Sequence, residues 1–205
     1  MPKQVDHESR RRLIADAVCA LVDERGLGAV TLRDVATRAE VSMGAVQRCF
    51  RTKEEMLGFA LAHVGERVTE RVRVRLTAGP AQSAASELGL VAGEVALLRE
   101  EHRAEARIWL AFVAAAAVDP GLAQTLRGSY AALEELVVRL VAEASEGGGG
   151  ADWAVAGGVL EARTEARTLL ALADGLTAHV LIGYRTAAEA EEVLHAHLAG
   201  LWERR

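Results

Sequence analysis

The sequence predicts an all-α protein, and three observations carry that prediction. Apolar residues make up 51% of the 205 positions but aromatics only 4%, with the excess in Ala, Leu and Val, which suit packed helices. Those residues recur at intervals of three and four along most of the chain. No strand-length alternation and no internal repeat interrupts them, and there are only three prolines. No apolar run reaches the roughly 18 residues of a membrane-spanning helix, and the N-terminus lacks the apolar core of a secretory signal. Cys19 and Cys49 are too few for a disulfide framework, so the expected setting is a reducing cytoplasm.

Residues 1–8 have no apolar periodicity and are expected to form an arm. A helix is predicted from Ser9, with Leu13, Ile14, Ala17, Val18, Leu21 and Val22 on one face. Gly26 is placed to end it in a left-handed conformation. Arg10, Arg11 and Arg12 cluster at its start, where they reach nucleic-acid phosphates, let the arm enter a minor groove, or form a solvated basic end.

The next stretch, TLRDVATRAEVSMGAVQRCFRTK from Thr31 to Lys53, organises the chain. Thr31, Ser42 and Thr52 each precede a helical pattern and each offers a hydroxyl to an orphan backbone N–H. Asp34 and Glu55 stand three residues on, as capping-box partners do, while Val30 with Val35 and Val41 with Val46 are spaced as hydrophobic staples. Two short helices joined so tightly form a helix-turn-helix, which needs the helix from Ser9 to complete a core. Its second helix, Met43 to Cys49, holds on through Val46 and Phe50 and leaves a small, polar face, as a helix that enters the major groove requires. Glu40, at the turn, either avoids a left-handed backbone or bears strain of about 1 kcal/mol.

Beyond it, Lys53 to Leu76 is expected as one long helix with Leu57, Ala60, Leu61, Val64, Val68, Val72 and Leu76 inward, stopped by Ala78-Gly79-Pro80. Further helices are predicted from Ser83 to Arg99, from His102 to Val118, and from Asp119-Pro120, where Asp caps and Pro suits the first turn. SEGGGG from Ser145 to Gly150 is expected as a surface loop. Trp153 to Leu160 is expected as a short helix broken at Gly157-Gly158, and the last two helices as Thr164 to Gly183 and Ala187 to Trp202.

The ordered set Thr31-Leu32-Arg33-Asp34-Val35-Ala36, Val41-Ser42-Met43-Gly44, Phe50 and Lys53-Glu54-Glu55-Met56-Leu57 resembles the N-terminal domain of TetR-family transcriptional regulators. More loosely, RIWLAF through ALADGL resembles the C-terminal domain of the betaine-responsive repressors within that family. The chain departs from the family pattern at Glu40, where a turn glycine is common, and at Gln47 and Cys49, where aromatic or histidine side chains usually meet the DNA backbone. The resemblance implies a helix-turn-helix DNA-binding domain in residues 1–52 and a helical effector-binding and dimerisation domain in 53–205. Charge divides compatibly, with one net positive charge in the first 55 residues and six net negative in the remainder.

The DNA-binding residues expected are Thr31, Ser42, Met43, Gly44, Ala45, Gln47, Arg48, Thr52 and Lys53. Gln47 suits adenine, Arg48 suits guanine or a phosphate, and the hydroxyls with Lys53 suit phosphates. A ligand pocket is expected among Arg107, Trp109, Phe112, Tyr130, Asp174 and His179, with Arg107 as partner for Asp174, a carboxylate set in an apolar run. Leu176, Val180, Val193, Leu194, His197, Leu198 and Leu201 form stripes expected to build a dimer; alternatively, both stripes are consumed inside one subunit. No catalytic constellation, metal site or cofactor motif is present: His195 and His197 are two apart on a helix and cannot share a metal as i, i+4 ligands do. The expected function is a homodimeric repressor released from a palindromic DNA operator by a small-molecule effector. One alternative is an activator, or a repressor that has no small-molecule inducer; the other is a helical interaction or catalytic module whose helix-turn-helix serves only packing.

Overall fold

The computed structural model describes residues 2–78, 83–146 and 156–203, and all regular structure among them is helical. The order is α1 (Pro2–Arg25), α2 (Leu32–Arg38), α3 (Met43–Cys49), α4 (Lys53–Thr77), α5 (Ala84–Val95), α6 (Arg103–Ala116), α7 (Pro120–Glu146), α8 (Ala156–Leu181) and α9 (Ala187–Glu203), with 3-10 turns at Leu27–Ala29 and Glu100–His102. Among the described residues no helix is long and apolar enough to cross a membrane. The chain divides into two compact units, one formed by 1–67 with 107–129 and the other by 68–106 with 130–205.

In the first unit, α1 begins at Pro2 and not at Ser9, so residues 2–8 extend the helix instead of forming an arm. Pro at the first helical position and helix-favouring polar residues after it need no apolar stripe to do this. Ile14, Ala15, Ala17, Val18, Cys19, Leu21 and Val22 are buried, but Leu13 is 48% exposed. At about 100° per residue, Leu13 points well away from the centre of that buried arc. Gly26 takes φ +76° as expected, yet with ψ 162° it is extended and not left-handed helical, a conformation open in practice only to glycine. Val30, Val35, Val46, Phe50, Met56, Leu61 and Val64 complete the core with Trp109, Phe112, Leu122 and Leu126. Glycines bring α4 close to α7: a Cβ on Gly58 would meet Thr125 Oγ1 at 3.7 Å, and one on Gly65 would meet Ser129 Oγ at 3.4 Å. Asp119 caps α7 as the sequence predicts, its Oδ1 accepting from the amides of Gly121 and Leu122 at 2.8 and 2.9 Å.

The second unit packs α5, the second half of α7, α8 and α9 around Leu88, Val91, Leu98, Val137, Leu140, Val141, Leu169, Ala173, Leu176, Leu194, Leu198 and Leu201. α5 stops at Val95, earlier than Arg99, because Leu97 enters the left-handed region at φ +49°. α8 runs unbroken through Gly157-Gly158 from Ala156, where a break was expected. It ends in a turn whose Tyr184 amide donates to the His179 carbonyl at 2.9 Å and whose Gly183 amide donates to that of Val180 at 3.1 Å, with Gly183 at φ +73°. The expected features at Gly79-Pro80, at Gly147 to Gly150 and at Trp153 lie outside the described residues.

Candidate nucleic-acid interface

All three hydroxyl caps are formed. Thr31 Oγ1 accepts from the Asp34 amide at 3.2 Å, Ser42 Oγ from the Ala45 amide at 3.2 Å, and Thr52 Oγ1 from the Glu55 amide at 3.1 Å. Their carboxylate partners sit slightly differently from a capping box. Asp34 accepts from the Thr31 hydroxyl at 2.6 Å, and Glu55 accepts from the amide of Arg51, one residue ahead of the cap, at 2.8 Å.

Between α2 and α3 the chain turns through Glu40, a non-glycine residue at φ +54°. The Glu40 amide donates to Thr37 at 3.2 Å and the Val41 amide to Ala36 at 3.0 Å, the paired bonds of a Schellman turn. The turn therefore keeps its left-handed geometry without glycine and carries the associated strain. It aims α3 so that Ala45, Val46, Cys49 and Phe50 are buried while Ser42, Met43, Gln47 and Arg48 are exposed. Ala45, expected to face DNA, instead turns its methyl into the core. The Arg48 guanidinium folds back over Gly44, its Nη1 lying 3.6 Å from where a Cβ on that residue would stand. Thr31 and Thr52 are exposed and Lys53 is half-buried; Arg33, which lies within the Thr31-to-Ala36 motif, and Arg51 are two further exposed cations of this stretch.

Charge pairs lock the unit. Arg38 donates twice to Glu24, at 2.7 and 2.5 Å, which raises the arginine's pKa and lowers the carboxylate's. His63 meets Asp16 at 2.9 Å between α4 and α1. Of the three clustered arginines, Arg11 lies over two aromatic rings that touch each other, 4.7 Å from the Phe50 centroid and 4.4 Å from that of Phe59, with Glu55 at 3.8 Å. Arg12 pairs with Glu8 at 3.4 Å.

The expected ligand residues divide between the two units. In the first, Trp109 and Phe112 are buried and Arg107 grips Asp23 through bonds of 2.5 and 3.1 Å. In the second, the Tyr130 hydroxyl donates to the Asp174 carboxylate, and His179 stacks edge-on against Tyr184 at 4.9 Å. The expected dimer residues are corrected: Leu176, Leu194, Leu198 and Leu201 are 3%, 2%, 8% and 3% exposed in the single chain, because α8 and α9 pack on each other and on α5. Periodicity identified the stripes but not the element that covers them. Val180 and Val193 stay partly exposed, and His197 Nε2 lies 2.7 Å from Oε1 of Glu165. Among the described residues, no group of three or more His, Cys, Asp or Glu stands close enough to hold a metal ion.

Residues 14–58 match the family model of bacterial regulatory proteins of the tetR family, and residues 84–203 match that of the C-terminal domain of BetI-type transcriptional repressors. The HTH-type transcriptional regulator PksA of Bacillus subtilis is 44% identical over 73 residues, 36% of either chain. The HTH-type transcriptional regulator BetI of Escherichia coli is 31% identical over 122 residues, 60% of this chain and 63% of that one. The chain thus spans less than two thirds of the length of these curated relatives. A crystal structure of a transcriptional regulator from Rhodococcus sp. Rha1 superposes with a TM-score of 0.78 at 27% identity, covering 94% of this chain and 96% of that one.

Proposed function

The chain belongs to the TetR family of transcriptional regulators, and on that premise we propose that it is a homodimeric repressor, bound to a palindromic operator through residues 1–52 and released by a small molecule held in residues 53–205. One observation supports the reading head above all: α3 buries Ala45, Val46 and Cys49 and turns Met43, Gln47 and Arg48 outward. Gln47 offers a bidentate amide to adenine and Arg48 a fork to guanine or a phosphate. Thr31, Ser42, Gly44, Thr52 and Lys53, joined by Arg33 and Arg51, are the backbone-contacting set.

Release needs a sensor and a partner copy. The partly buried Tyr130–Asp174 pair is a polar anchor of the kind that orients a ligand. For the partner copy, the outward face of α8 offers Ala171, Gly175 and Ala178, followed just past its end by Ile182, which is 76% exposed. A two-fold axis along that face lets small residues bring two helices close and sets the reading helices about 34–36 Å apart, one turn of the duplex. A gel shift with the DNA upstream of the chain's own gene, run at several salt concentrations, tests the reading. A specific shift that strengthens as salt is lowered is expected. No specific shift at any salt would favour a helical module that uses its helix-turn-helix only for packing.

A further inference from the structure

The second unit holds a cavity of about 440 Å³ between the α5–α6 connection and the α8–α9 connection. That is within the range of small-molecule sites, roughly 300 to 1,000 Å³. Its apolar wall comes from Leu97, Leu98, Val180 and Leu181, and its cations from Arg99, Arg103 and Arg185. Two carboxylates also line it, and both are engaged. Glu100 accepts from Arg103 at 2.7 Å, while Glu189 turns back to cap α9, accepting from the Thr186 amide at 2.7 Å and hydroxyl at 3.0 Å. A cationic ligand would meet three guanidinium groups here, and a wholly apolar one would strip water from them without replacing its hydrogen bonds. An anion with an apolar body satisfies both the wall and the arginines.

We propose that this cavity is an effector site apart from the Tyr130–Asp174 pair, neither of which lines it, and that it takes an amphiphilic carboxylate, its head group on Arg99 and Arg103 and its body against the leucines. The assignment rests on the reading of residues 53–205 as the effector-sensing part. It also supplies a route to the rest of the unit. Arg99 Nη1 stands 3.3 Å from Oε1 of Glu94, a carboxylate only 1% exposed. Glu94 is held as well by Arg75 at 2.9 Å and Arg71 at 3.3 Å, both on α4, and Arg71 reaches Glu105 at 2.7 Å. A head group on Arg99 competes with Glu94 for that guanidinium, so the charge Glu94 no longer shares with Arg99 strengthens its hold on Arg71 and Arg75. α4 is the helix that begins directly after the helix-turn-helix, at Lys53. The connection that carries Arg99 is strained at its start, with buried Leu97 at φ +49°.

The test is isothermal titration of the full chain, without DNA, with hexanoate, octanoate, decanoate and phenylacetate. Octanol serves as the neutral counterpart and choline as the cationic one. Saturable binding of at least one carboxylate is expected, with octanol at least tenfold weaker than octanoate and no uptake of choline. Arg99→Gln and Arg103→Gln should each weaken carboxylate binding at least tenfold. Arg103 lies outside the Glu94 cluster and pairs with exposed Glu100, so its variant decides the matter even if Arg99→Gln does not fold. The proposal is overturned if no carboxylate binds saturably in the millimolar range, if octanol binds as well as octanoate, or if folded Arg103→Gln binds like the wild type. A chain that shifts its operator yet binds no carboxylate refutes this site and leaves the repressor reading standing; one that binds octanoate but shifts no DNA does the reverse.

Discussion

The Val41 amide donates to the Ala36 carbonyl at 3.0 Å, and this bond closes the helix-turn-helix around a left-handed Glu40 at φ +54°. A Cβ in that conformation crowds the following carbonyl, a penalty of about 1 kcal/mol that glycine does not bear. Glu40→Gly should therefore stabilise the chain by about 1 kcal/mol, whereas Glu40→Ala, which keeps the Cβ, should stay near the wild type. Urea unfolding of the three proteins checks this, and a destabilised glycine variant would mean that the turn is not strained.

Arg11 tests whether a cation at the start of the chain serves packing or DNA. Its guanidinium lies against Phe50 and Phe59 and its side chain is 25% exposed. Arg11→Met, which keeps the apolar stem but loses the charge, should cost about 1 kcal/mol of stability. The salt dependence of DNA binding should not change. A shallower salt slope in the variant would assign Arg11 to a phosphate instead.

Gln47 is exposed on α3 with no structural duty among the buried residues. Gln47→Ala should weaken binding to the true operator by about 1 to 3 kcal/mol and leave binding to random DNA nearly unchanged. Equal losses on both would remove it from base reading.

His102 gives the stability a pH dependence. Burial holds its pKa below the ordinary imidazole value, the positive charge of Arg71 adds to this, and Glu94, Glu105 and Glu101 oppose it. The unfolded chain therefore binds a proton that the folded chain refuses between the lowered value and about 6.5, and stability rises with pH across that window. Urea midpoints measured at pH 7.5 and 5.5 should fall on acidification, and His102→Gln should show a smaller fall. An equal fall in both would place the responsible group elsewhere.

Leu198 and Gly175 separate folding from association. Leu198 is 8% exposed inside the second unit, so Leu198→Arg should unfold the chain instead of yielding a monomer. A Cβ at Gly175 would meet nothing within 4 Å among the described residues of the single chain. Gly175→Arg should leave a folded protein that sediments as a monomer. A folded, dimeric Gly175→Arg protein would move the proposed two-fold axis off the outward face of α8.

What the sequence made legible was local. Thr31, Ser42, Thr52 and Asp119 cap the helices they precede, because a hydroxyl or carboxylate and the amide it accepts are at most three residues apart. The long-range partnerships were not. Arg107 finds Asp23 across 84 positions and Tyr130 finds Asp174 across 44, and no spacing rule connects residues so distant. Leu194, Leu198 and Leu201 gave a correct stripe but not its partner, since a period of 3.6 says which face is apolar and nothing about what covers it. Arg99 and Glu94 carried no signal because their meeting depends on a turn at Leu97 that a leucine does not announce.

The unit that contains the helix-turn-helix is discontinuous, drawing on 1–67 and on 107–129. A segment cut at residue 52 would leave behind Met56, Leu61, Trp109 and Phe112, all buried. The helix-turn-helix of this chain is therefore not a contiguous cassette that a single crossover can graft onto another body. Chimeras that preserve the interior need the second segment from the same parent. Divergence among related chains is then easier through point changes at exposed positions such as Gln47 and Arg48 than through exchange of whole heads.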